Sequence, residues 1–143
     1  MARIQRILQI KPLSPTGDWA MLLLRLVFGG FMIAGHGWRK MVRFSDIAPD
    51  FYNFLGLGGG VSLGLTVFAE VACAALLIAG LTTRLAAIPL IITMAVAFFL
   101  VHSDDPVLDR EMAMLYLVVY VVIYLIGPGR FSIDQLIFGA RKS

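Results

Sequence analysis

The chain has 143 residues, 59% hydrophobic and 15% charged, with a formal net charge of +3 and a mean hydropathy of +0.87. Soluble domains run about 45–50% apolar and about 25% charged, so a water-soluble fold of this length would lack the polar surface to cover its core. A single cysteine, Cys73, excludes a disulfide scaffold, and basic residues scattered between apolar segments exclude a nucleic-acid binder, which leaves a bilayer as the solvent.

A helix needs about 20 apolar residues to cross roughly 30 Å of hydrocarbon. The first window that meets this runs from about Trp19 to Trp38, with both tryptophans as interface anchors and Arg25 inside. The lead before it is polar and holds Pro12 and Pro15, and Arg25 interrupts the apolar run, so this span is expected to be retained and not cleaved as a signal peptide. Phe51, Tyr52 and Phe54 follow as interfacial aromatics. The GLGGG run from Gly56 to Gly60 is wrongly spaced for a phosphate loop and breaks the chain before the second span. That span runs from about Val61 to Leu81 with Glu70 inside. The third runs from about Leu85 to His102, with Pro89 tolerable near its start. The fourth, about Met112 to Gly127, is short: sixteen residues cover roughly 24 Å. The tail from Arg130 carries FSIDQLIFGARK, which predicts a short amphipathic helix on the membrane surface.

The expected fold is therefore an all-α integral membrane four-helix bundle. It divides into an N-terminal segment over 1–17, a four-span domain over 18–128 and a tail over 129–143. Four crossings put both termini on one side. That side carries Arg3, Arg6, Lys11, Arg84, Arg130, Arg141 and Lys142 against Arg39, Lys40, Arg43 and Arg110 on the other, which predicts cytoplasmic termini. The turn from Thr82 to Arg84 makes spans two and three antiparallel neighbours. Gly60-x-x-x-Gly64, Gly30-x-x-x-Ala34 and Ala75-x-x-x-Ala79 predict close helix packing, and Cys73 reads as a small packing residue.

Ionisable residues inside a span are costly and mark candidate sites. Arg25 lies about 10 Å and Glu70 about 16 Å above the same membrane edge, an offset that an arginine side chain spans. The pair could fix helix register, hold a polar substrate or quinone headgroup, or remain unpaired. A second group gathers at the opposite face: His36 ends span one, with Lys40 one turn later; His102 ends span three; Glu111 opens span four. Two imidazoles with carboxylates nearby could ligate a metal, hold a haem axially, relay protons to a quinone, or simply hydrogen-bond to loops. No HxxxH, ExxH or CxxC spacing is present to select a metal, and none is assigned.

Three stretches carry a family resemblance. Leu22-Leu23-Leu24-Arg25 is followed by Phe28-Gly29-Gly30 and Gly35-His36-Gly37-Trp38-Arg39-Lys40. Phe68-Ala69-Glu70 leads to Gly80-Leu81-Thr82-Thr83-Arg84, and the last span ends Gly127-Pro128-Gly129-Arg130-Phe131-Ser132-Ile133-Asp134. In order and spacing these resemble the DoxX family of small bacterial four-helix membrane proteins, over about residues 18 to 138. The resemblance implies an inner-membrane location and a redox accessory role beside other membrane redox subunits or as a homo-oligomer, with quinone as the implied cofactor. The family name comes from a small subunit of a quinone-linked, thiosulfate-oxidising membrane enzyme. Arg25, Glu70, Arg84 and Asp134 match its motif positions, with Gly127, Pro128 and Gly129 as structural elements. The chain has no flavin motif and no cysteine cluster, so electrons would come from a partner or a bound cofactor. A structural or assembly subunit and a small-solute transporter are the alternatives.

Overall fold

The computed structural model describes residues 13–139. Helix α1 spans Pro15–Val42. It starts four residues before the apolar window because Ser14 caps it: the hydroxyl accepts from Gly17 N at 3.1 Å, and Pro15 occupies the first helical position, where no N–H is needed. A short helix, α2 (Phe44–Ile47), and two single 3₁₀ turns, Ala48–Asp50 and Phe54–Gly56, carry the chain across the membrane face. Helix α3 spans Gly59–Ala79, α4 Thr83–Val101 and α5 Glu111–Ile126; a final short helix, α6, covers Ile133–Phe138. Helices α1, α3 and α4 are long and apolar enough to cross a membrane, and α5 is an apolar helix of 16 residues. Among the described residues there is no strand, so the fold is all-α.

The four long helices close into a ring: α1 packs on α3, α3 on α4, α4 along α5, and α5 returns to α1. The core holds Met21, Met32, Cys73, Leu77, Leu90, Tyr120 and Ile123. Leu23, Phe31, Leu115, Val118 and Leu125 point outward, as lipid-facing positions should. The most polar side chains lie inside instead: Arg25 and Glu70 are each only 1% exposed.

The small-residue patterns do not mark the packing seams. A methyl group at Gly30, Gly60 or Gly64 would meet nothing within 4 Å, and Ala75 and Ala79 face outward. The close approach of α1 to α3 uses Gly29 and Gly37 instead. A Cβ there would lie 2.6 Å from Ile78 Cγ1 and 2.7 Å from Val71 Cγ2 respectively. The spacing rule identifies small faces but not which of them turns inward.

Turn chemistry sets the join between α3 and α4. Gly80 adopts φ +68°, with Gly80 N donating to Leu77 O at 3.1 Å and Leu81 N to Leu76 O at 3.0 Å, a Schellman end. Thr82 leads into α4 without a side-chain cap of its own. The α6 region supplies it: the Asp134 carboxylate accepts from Thr82 N at 2.6 Å, Thr83 N at 2.8 Å and Thr83 Oγ1 at 2.8 Å. Asp134 thus serves as an N-cap in trans, and its own N–H returns to Gly80 O at 2.8 Å. Helix α6 buries Asp134 and leaves Leu136, Ile137 and Phe138 exposed.

Candidate functional site

Arg25 and Glu70 do not pair, contrary to the register argument. The guanidinium turns toward the termini side and donates to four carbonyls. Nε reaches Leu77 O at 2.8 Å, Nη2 reaches Ile78 O at 2.8 Å, and Nη1 reaches Pro128 O at 2.7 Å and Phe131 O at 2.8 Å. The physical reason is capacity. Arginine carries five donors in a fixed fork, and the C-terminal ends of α3 and α5 offer orphan carbonyls at negative dipole ends. One carboxylate would have satisfied fewer of those donors. Arg84 acts similarly on α5, with Nε donating to Tyr124 O at 3.0 Å and its guanidinium beside Gly127. Asp18 Oδ1 accepts from Arg130 N at 2.8 Å. Gly127, Pro128, Gly129 and Asp134 belong to this same clasp, which ties the start of α1 to the tail.

Glu70 faces the other way, into a cavity of about 520 Å³ at the end where α1 finishes and α4 runs into the loop to α5. Its Oε1 lies 2.6 Å from Lys40 Nζ. Lys40 runs its aliphatic stem along the cavity wall and carries the ammonium inward, the reverse of the usual excursion toward water. His36, one turn earlier on α1, also lines the cavity and sits edge-on to Tyr116 at 5.6 Å between ring centroids. His102 reaches the cavity from the end of α4, with Nδ1 at 2.6 Å from Asp105 Oδ2. The walls are otherwise apolar, from Phe54, Phe68, Ile92, Met94 and Met112 among others.

Of the candidate residues, His36, Lys40, Glu70 and His102 therefore converge on one cavity, Arg25 belongs to the clasp at the opposite end, and Glu111 is exposed and does not line the cavity. Its neighbour Arg110 does. That guanidinium lies 4.8 Å from the Phe98 ring centroid, with Nη1 at 3.4 Å from the carbonyls of Phe98, His102 and Ser103. Tyr116, Thr66 and Thr93 are further lining residues that charge arithmetic does not single out. A tyrosine inside an apolar span, with a polar tip needing a partner, was the available signal for Tyr116.

Three π-helical turns border this cavity. They cover Met32–Gly37 in α1, Phe68–Cys73 in α3 and Ala97–Val101 in α4. Each inserts an extra residue into the turn, which rotates the following face, and such turns recur at functional sites. The first contains His36, the second contains Glu70, and the third ends one residue before His102. Close contact of Gly37 with the Glu70 backbone, where a Cβ would come within 3.0 Å of Glu70 C, locks the first two turns together. Among the described residues no group of three or more His, Cys, Asp or Glu is arranged to hold a metal ion. What the arrangement offers is a mostly apolar chamber with an ion pair, two imidazoles and a guanidinium, the composition of a site for an amphiphilic small molecule.

Comparison with known proteins gives one family match. The family model described as DoxX matches residues 20–103. Neither the curated proteins nor the solved structures returned a match. The matched segment contains Arg25, His36, Lys40, Glu70, Arg84 and His102, and the Gly127 to Asp134 stretch lies beyond it. The match covers more than half of the chain, and the chain belongs to the DoxX family of membrane proteins.

Proposed function

We propose that this protein is an accessory subunit of a quinone-linked redox system in the bacterial plasma membrane, and that its cavity holds the quinone headgroup. The observation that carries the reading is the cavity itself: about 520 Å³ of largely apolar space, with the Lys40–Glu70 pair inside and His36, His102 and Arg110 around it. Quinone sites need this combination, apolar walls for ring and tail and a few polar groups for the oxygens. When bound, quinone supplies two-electron chemistry to the membrane. This chain's residues orient the headgroup and hold its polar contacts, and the electrons pass to or from partner subunits.

The lysine and arginine balance supports cytoplasmic termini, with segments 1–17 and 129–143 on that face and the cavity opening toward the outer leaflet. The partners in this reading are other membrane redox subunits or a second copy of the chain. The test is purification from the native membrane in mild detergent, with absorbance spectra and quinone mass spectrometry on one sample. Wild type is expected to carry quinone, and Thr93→Trp, which fills the cavity from α4, is expected to elute folded and without it. A wild-type protein lacking quinone and redox partners would overturn the reading in favour of an assembly or transport role.

A further inference from the structure

Tyr116 and Tyr120 sit one turn apart on α5, and their hydroxyls meet different surroundings. Tyr120 is fully buried, and its hydroxyl donates to Phe28 O of α1 at 3.2 Å. Tyr116, one turn nearer the cavity, finds no such carbonyl. Phe28 and His36 of α1 meet it ring to ring instead, at 5.4 Å and 5.6 Å between centroids and nearly perpendicular. Tyr116 is 5% exposed and lines the cavity, and its hydroxyl has no hydrogen-bond partner among the described residues. The polar atoms that the fold seals without a partner are Glu70 Oε2 and Arg110 Nε, which no occupant reaches; the Tyr116 hydroxyl is not sealed and opens on the cavity. His36 lines the same cavity, also with no hydrogen bond of its own among the described residues. Buried phenols ordinarily pair their hydroxyl, so an open one on an apolar chamber marks where a ligand oxygen belongs.

We propose that Tyr116 anchors the headgroup: its phenolic O–H donates to a carbonyl oxygen of the bound quinone, and the His36 imidazole lies against the same ring. This rests on the quinone reading of the same cavity and adds the residue that fixes the headgroup's orientation. A phenol is an uncharged donor, so it holds a carbonyl in an apolar chamber without the burial cost of a charge. Rings 5.6 Å apart are within reach of one ring-sized headgroup, so Tyr116 from α5 and His36 from α1 act on a single ligand. The tail is left to the apolar wall, where Phe68 of α3 and Ile92 of α4 lie. One neutral hydrogen bond of this kind is worth about three- to tenfold in affinity.

The test is binding of a decyl-tailed benzoquinone, isotope-labelled at its carbonyl carbons, to the full chain in lipid nanodiscs. Affinity is read by equilibrium dialysis against empty nanodiscs, and the bound carbonyls by infrared difference spectra. Wild type is expected to show one carbonyl stretch at lower frequency than in lipid alone. Tyr116→Phe keeps the ring contacts and removes only the hydroxyl. It should bind about three- to tenfold more weakly, with that band returned to its lipid position. Tyr120→Phe, which removes a hydroxyl already bonded to Phe28 O, should match wild type in both readouts. Unchanged affinity or an unmoved band in Tyr116→Phe overturns the inference while leaving the quinone site intact. A wild type that binds no quinone overturns the quinone reading and the inference with it. If Tyr116→Phe does not stay monodisperse, solid-state NMR decides on protein with Cζ-labelled tyrosine and Tyr52→Phe, since Tyr52 is the other tyrosine on the cavity wall. A dipolar contact between tyrosine Cζ and the quinone carbonyl carbon supports the hydrogen bond, and its absence overturns it.

Discussion

Replacing Arg25 by methionine keeps an unbranched side chain of similar reach and removes all five donors. Four carbonyls lose the guanidinium at once: Leu77 and Ile78 at the end of α3, and Pro128 and Phe131 in the turn after α5, of which Leu77 O keeps a second donor, Gly80 N. Polar interactions within membrane bundles average about 0.6 kcal/mol in double-mutant cycles, which sets a lower bound of about 2 kcal/mol for the four together. Removing one partner of a buried charged network in a soluble core costs about 3–5 kcal/mol, an upper bound because methionine also removes the burial cost of the charge itself. The expected loss is about 2–4 kcal/mol. Arg25→Lys should recover only part of it, since one ammonium cannot bridge carbonyls on two separate elements. The assay is reversible unfolding in mixed detergent and SDS micelles, followed by circular dichroism. A cycle with Glu70→Gln then separates the clasp from an ion pair, because residues with no shared contact should be additive within about 0.5 kcal/mol. A coupling between Arg25 and Glu70 above about 1 kcal/mol, or a neutral Arg25→Met, would refute the clasp.

Three further outcomes are expected in the same titration. Gly80→Ala forces a side chain into φ +68° and against the Arg25 guanidinium, and should cost about 2 kcal/mol or more; a loss below about 0.5 kcal/mol would contradict the close approach. Asp134→Ala strips Thr82 and Thr83 of their acceptor and should cost about 2–4 kcal/mol, with Asp134→Asn intermediate; equal effects for the two substitutions would argue against capping. Lys40→Met alone leaves a carboxylate at 1% exposure and should cost about 2–4 kcal/mol, whereas Lys40→Met with Glu70→Leu should stay within about 1 kcal/mol of wild type. The double variant should also lose quinone in the co-purification assay, and full retention there would show that the pair does not contact the ligand.

Composition and span length by themselves determine that this is a membrane bundle, because nothing but a bilayer tolerates so apolar a chain. The four helices appear where apolar windows lie, to within about four residues at each end, as expected when caps such as Ser14–Pro15 set the ends and hydropathy does not. The costly residues were legible too. Arg25, His36, Glu70 and His102 stand out against their spans, and three of the four line the cavity. What each one touches was decided only by the tertiary structure. Arg25 and Glu70 are close enough along their helices to meet, but which way a side chain turns depends on what the neighbouring helix ends offer. Orphan carbonyls at two helix ends outcompeted one carboxylate for five donors. Lys40 reached Glu70 instead because π-helical turns in α1 and α3, seated on Gly37, rotate both residues into one cavity. Arg110, and not Glu111, lines the cavity, because the loop before α5 sets its guanidinium against the carbonyls of Phe98, His102 and Ser103 at the end of α4, a contact that periodicity within one helix does not foresee. Asp134 shows the same limit. Its place after the Gly127-Pro128-Gly129 turn is visible in the chain, but its work as the cap of a helix 51 residues away exists only once the tail folds back across the bundle.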